Sequence, residues 1–82
     1  MKVEIYYCSM WNYLPQASRL EELKDSFNNV EVSLIASNGG TFQVIVNEKI
    51  IFDKLAISKT EAIFPNIGEI TKKIKEGKLF EN

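Results

Sequence analysis

Lys2-Val3-Glu4-Ile5-Tyr6-Tyr7-Cys8, running into Ser9-Met10-Trp11-Asn12, is the stretch that decides the fold. Val3, Ile5 and Tyr7 alternate with Lys2, Glu4 and Tyr6, the two-residue period of a strand with one face better buried than the other. Past Cys8 the period changes. Leu14, Ala17, Leu20, Leu23 and Phe27 fall at spacings of three and four, which predicts an amphipathic helix ending near Asn28-Asn29. Pro15 sits in its first turn, where a missing N–H does no harm, and Asn12 or Ser9 is expected to cap the free amides.

Working outward, Val30, Val32 and Leu34 alternate with Glu31 and Ser33, a second strand that closes at Ser37-Asn38-Gly39-Gly40. Phe42, Val44 and Val46 then point one way and Thr41, Gln43 and Ile45 the other. Asn47-Glu48 separates them from Ile50-Ile51-Phe52, so the pair reads as a hairpin. Asn47 tolerates positive φ, whereas Glu48 is a poorer second turn residue than glycine. Lys54 to Ile63 shows no clean period and is expected to be a loop. Phe64-Pro65-Asn66 introduces Ile67, Ile70 and Ile74, with Glu69 three residues after Asn66 as in a capping box, Lys72, Lys73 and Lys75 late, and Gly77 as a stop. The tail from Lys78 to Asn82 is expected to be partly ordered at best.

The order is β-α-β-β-β-α. A helix between the first two strands implies a parallel β-α-β unit, and the short turn between the third and fourth implies an antiparallel hairpin. An α/β, thioredoxin-like two-layer sandwich satisfies both, whereas a ferredoxin-like sheet would need a further strand after Gly77. At 82 residues the chain makes one domain, residues 1–82, burying about 60–65% of its unfolded surface.

Counting excludes several functions. Ten basic against eleven acidic residues give a net charge of −1, so no cationic field is present to hold a nucleic acid backbone. With no histidine and one cysteine, no His-based triad, internal disulfide or His/Cys zinc site is expected. No apolar run approaches a membrane span, and Met1 to Tyr7 does not resemble a secretory leader, so a cytoplasmic location without membrane partners is expected.

Cys8 is the one side chain placed like a nucleophile, where a strand gives way to a helix whose N-terminal amides favour an anion. The alternative is a small inert hydrophobe ending a strand. Gly39-Gly40 lacks the lysine and following helix of a phosphate loop and reads as a tight turn or a close backbone approach beside the Cys8 loop. Lys54 or Lys59 would favour a thiolate if either approached Cys8. Glu21, Glu22 and Asp25 read as a solvated face. Lys72, Lys73, Lys75 and Lys78 suit a helix C-terminus.

The Tyr7-Cys8 strand end, Tyr13, the helix around Arg19-Leu20-Glu21-Glu22-Leu23, the run Gly39-Gly40-Thr41-Phe42-Gln43-Val44-Ile45-Val46, then Ile51-Phe52 and Phe64-Pro65-Asn66-Ile67, together resemble the selenoprotein W-like (Rdx) family over almost the whole chain. The resemblance implies a thioredoxin-like fold with a Cys-x-x-Cys or Cys-x-x-selenocysteine loop after the first strand, serving thiol-based, glutathione-linked redox reactions. Cys8 matches the first position, and the second falls on Trp11. Indole cannot resolve a disulfide, so a two-thiol cycle is excluded and any redox work is monothiol, with no bound cofactor and glutathione as co-substrate or protein thiols and disulfides as partners. The rival is a redox-silent module in which Trp11, Met10, Tyr13 and Tyr7, with Ser9 in the same loop, form a surface that binds a protein partner. An exposed loop of that kind would also favour dimers. Neither Pro15 nor Pro65 is placed like the cis-proline that thioredoxin relatives set opposite the active cysteine. Selenium enters only through codon 11. Relatives use UGA there for selenocysteine, altered codes read UGA as tryptophan, and a native UGG excludes selenium.

Overall fold

The computed structural model describes residues 1–58, 61 and 63–76. Strands β1 (Lys2–Cys8), β2 (Glu31–Ser37), β3 (Phe42–Val46) and β4 (Lys49–Asp53) form one sheet in the order β2-β1-β3-β4. β1 runs parallel to β2 and antiparallel to β3, and β3 and β4 form the antiparallel hairpin. The alternation legible in the sequence is the register. Val3 faces Val46 and Ile5 faces Val44 across the β1–β3 ladder, and all four are fully buried. The other face carries Glu4, Tyr6, Ile35, Gln43 and Ile45, half-buried, and leaves Ile50 exposed. The helical layer sits on the first face and supplies Ala17, Leu20, Leu23, Ile70 and Ile74 to the core.

The first helix differs from its expected form. α1 is an α-helix only over Leu14–Arg19 and continues as a 3-10 helix over Leu20–Asp25. Ala17, Leu20 and Leu23 are all buried, and their spacing of three matches the three-residue turn of a 3-10 helix, which stacks them on one line. Leu14, three residues before Ala17 at the start of the helix, is nevertheless exposed. Neither Asn12 nor Ser9 caps the helix. Tyr13 occupies the N-cap without a side-chain bond, while Asn12 takes a positive φ of 60° inside the preceding turn.

The segment after β4 is a second correction. Lys54–Ile57 is a short helix, α2, whose cap is Asp53: its carboxylate accepts from the Leu55 amide at 3.1 Å. The sequence signal was an Asp ahead of an apolar run, masked by the run's lack of period. α3 spans Ile67–Lys75, and Asn66 Oδ1 accepts from the Glu69 amide at 2.7 Å, the cap expected there. The expected stop at Gly77 and the tail beyond it lie outside the described residues.

β4 carries a bulge. Val44 pairs with Phe52 but Ile45 with Ile50, so Ile51 is the extra residue, which lets Ile51 and Phe52 both be buried. The Ile51 carbonyl accepts instead from Lys73 Nζ at 3.2 Å, tying α3 to the sheet edge. Asn47 holds the other end of the hairpin against β1: its Oδ1 accepts from the Lys2 amide and its own amide donates to the Lys2 carbonyl, both at 2.9 Å.

Asn47 and Glu48 take φ of 47° and 71°, the paired positive values of a type I′ turn, where Asn-Gly is preferred. Glu48→Gly is therefore expected to stabilise the fold by about 0.5–1 kcal/mol, strain relief exceeding the added unfolded-state entropy. A raised urea midpoint at unchanged slope is the readout.

Candidate functional site

Cys8 closes the central strand. Its amide donates to the Thr41 carbonyl at 2.8 Å, and the next amide, Ser9, donates to Ser37 at 3.3 Å on the opposite neighbour. The backbone is held on both sides up to that point and then leaves the sheet. Ser9, Met10, Trp11 and Asn12 form an exposed turn, with Asn12 N–H on the Ser9 carbonyl and Tyr13 N–H returning to the Cys8 carbonyl, both at 3.1 Å. Within this frame the Cys8 side chain is fully buried and belongs to the core. The thiol is therefore closed to solvent in this conformation.

The turn places Trp11 on Gly40. A Cβ at Gly40 would lie 2.5 Å from the indole Cζ3, and Gly40 holds a φ of 76° beside Gly39 at 68°. Two requirements thus meet at one residue: the chain must turn left-handed, and nothing can stand between its backbone and the ring. The grooves along α3 contain none of the turn residues.

Behind the turn is an aromatic cluster. Tyr13 meets Trp11, Phe42 and Phe64 edge to face, with centroids 6.0, 6.4 and 4.8 Å apart, and Phe42 meets Phe64 at 5.0 Å and Phe52 at 6.3 Å. Each such pair contributes about 0.5–1.5 kcal/mol beyond its buried area. The cluster fixes Tyr13 and so sets the C-terminal end of the Cys8 turn.

Lys54 is the member that sequence reasoning did not place. It is fully buried, and its Nζ lies 5.9 Å from the Trp11 ring centre and 5.8 Å from that of Tyr13. Among the described residues it has no hydrogen-bond partner. Asp53, its chain neighbour, is committed to the Leu55 amide and to Gln43 Nε2 at 3.1 Å. An unpaired buried ammonium costs several kcal/mol, and the ring faces offset about 2 kcal/mol of that. No local signal marks such a lysine, since the rings beside it, Trp11 and Tyr13, come from a distant part of the chain. Lys59, the other lysine considered beside Cys8, lies outside the described residues.

Gly40→Ala is expected to destabilise the protein by about 1–3 kcal/mol through backbone strain and displacement of the indole. In a Trp11→Ala background only the backbone part remains, about 1 kcal/mol. A double-mutant cycle in urea that returns no coupling would contradict the Trp11–Gly40 contact.

A family model described as the Rdx family matches residues 2–76. Among solved structures, a selenoprotein W-related protein from Vibrio cholerae is 26% identical, with 92% of each chain covered and a TM-score of 0.79. A Bordetella parapertussis protein, at 23% identity, shares the fold with the same TM-score over 92% of this chain and 94% of its own. No curated protein matches. No helix among the described residues is long and apolar enough to cross a membrane. The strand order, the Cys8 turn and the match over nearly the whole chain together establish that this protein belongs to the Rdx family, with the thioredoxin-like fold of the selenoprotein W-related proteins.

Proposed function

We propose that this protein is a monothiol redox protein working through Cys8 with a small external thiol, glutathione being the one the family resemblance implies. The observation that carries the proposal is the position of Cys8: it ends the central strand, at the family's first redox position, and a four-residue turn follows it directly. Trp11 stands where a resolving group would be, so the resolving sulfur has to arrive from solution.

The reaction is an exchange. Once the turn has lifted, the Cys8 thiolate attacks one sulfur of a small disulfide. The new bond to Cys8 forms as the disulfide's own bond breaks, and the departing thiolate takes a proton from water. A second small thiolate then attacks the mixed disulfide, restoring the Cys8 thiolate and releasing the oxidised thiol. Protein disulfides enter the same sequence if they fit at the turn.

Burial of the thiol gates this chemistry. A fully buried sulfur is protected from over-oxidation and from non-specific exchange, and it reacts at a rate set by turn opening as well as by thiolate content.

One observation favours a second function. Met10 and Trp11 are 86% and 54% exposed, and Leu14 adjoins them, an apolar patch of the kind that meets a protein partner through aromatic and methionine contacts. A partner bound there without redox chemistry would be retained by Cys8→Ser and lost by Met10→Ala/Trp11→Ala.

Intact-mass measurement separates the two. On exposure to glutathione disulfide the native protein is expected to gain one glutathione at Cys8, reduced glutathione is expected to remove it within minutes, and Cys8→Ser is expected to gain none. A native protein that stays unmodified while its fold persists would contradict the redox proposal.

A further inference from the structure

We propose that Lys54 is an anion anchor for the Cys8 site, and that it selects carboxylate-bearing small thiols and disulfides over neutral ones. This deepens the monothiol proposal and rests on it for the reaction, though not for the binding.

Two independent observations meet. The first is a fully buried lysine whose ammonium has no acceptor among the described residues. The second is its place: the ammonium lies within 6 Å of the ring centres of Trp11, on the Cys8 turn, and of Tyr13, which follows it. Ring faces attract a cation but leave its three N–H donors unused. Of the two rings, Tyr13 is buried and locked edge to face among Phe42 and Phe64, whereas Trp11 is 54% exposed and carried on the turn. The more exposed of the two rings is thus the one carried on the Cys8 turn. In the proposed opening the indole swings off Lys54 as Cys8 is uncovered, so that thiol and ammonium become accessible together.

The donors set the ligand class. An ammonium in a setting lined by aromatic rings, with the Asp53 carboxylate bonded to Leu55 and Gln43 and no acceptor among the described residues, suits an anion from outside. A carboxylate on a small disulfide supplies it while setting the ligand's sulfur against Cys8. Exchange then proceeds by the same displacement, with the Cys8 bond to the ligand sulfur forming as the ligand's disulfide bond breaks and the departing thiolate taking its proton from water. Lys54 takes no part in bond making. It is a specificity residue.

Trp11 is the chain's one tryptophan and reports binding directly. Titration with S-methylglutathione, which carries the carboxylates and cannot exchange, is expected to change Trp11 emission in the native protein. Its diester is expected to bind about tenfold more weakly, the effect of one lost charge-assisted contact. Lys54→Met, which keeps the chain length, is expected to show the same loss, and Lys54→Arg to recover part of it. In kinetics, Lys54→Met should slow reaction with glutathione disulfide about tenfold and leave that with neutral hydroxyethyl disulfide within about twofold. Equal binding of acid and diester to the native protein overturns the proposal without recourse to any variant, as does the absence of a Trp11 response. Lys54-dependent binding in a protein whose Cys8 does not exchange would uphold the anchor and remove the redox function. Exchange at equal rates with both disulfides in native protein and Lys54→Met would do the reverse.

Discussion

The structure depends on β1 being paired on both sides along its length and released at a single residue. Its parallel ladder to β2 runs from Lys2 to Cys8 and its antiparallel ladder to β3 from Val3 to Tyr7. The last bonds, Cys8 to Thr41 and Ser9 to Ser37, go to opposite neighbours. A strand held this way cannot slip by one residue without turning Val3 and Ile5 out of the core. The thiol position is therefore fixed by the hydrophobic register of the whole sheet. Past the Ser9 amide no sheet bond constrains the chain, so it can turn through Asn12, and the aromatic cluster at Tyr13 catches the backbone again five residues after Cys8.

Much of this was legible beforehand. The strands could be read because alternation is local: each of Val3, Ile5, Val44 and Val46 lies on the face that its neighbours predict. The α3 cap could be read because Asn66 and Glu69 are three apart. The split of the first helix was present in the spacing of Ala17, Leu20 and Leu23 but is easily absorbed into a 3.6-residue period, since three and four both fit it over so few turns. α2 escaped because four residues carry no period at all.

Among the site residues, Cys8 and its turn could be located from strand and helix patterns, but the depth of the thiol could not. Alternation with Val3 and Ile5 would set Cys8 on the open face, yet its side chain is fully buried. Lys54 lies at the limit of sequence reasoning. A lysine is read as solvated unless something buries it, and here the cause is the approach of Trp11 and Tyr13 from more than forty residues away. Gly40 is intermediate: a double glycine announces a turn, while the indole pressed on its backbone is a tertiary fact.

The proposed chemistry makes one structural demand above the others: the Cys8 turn must open without the protein unfolding. Rates of Cys8 alkylation by iodoacetamide, followed across urea concentrations well below the unfolding midpoint, test it most directly. Local opening exposes little surface, so the rate is expected to stay nearly flat until the global transition begins. A logarithm of the rate that climbs from zero urea with the full slope of global unfolding would mean that the thiol is reached only from the unfolded chain, and that Cys8 is part of the core rather than of a working site.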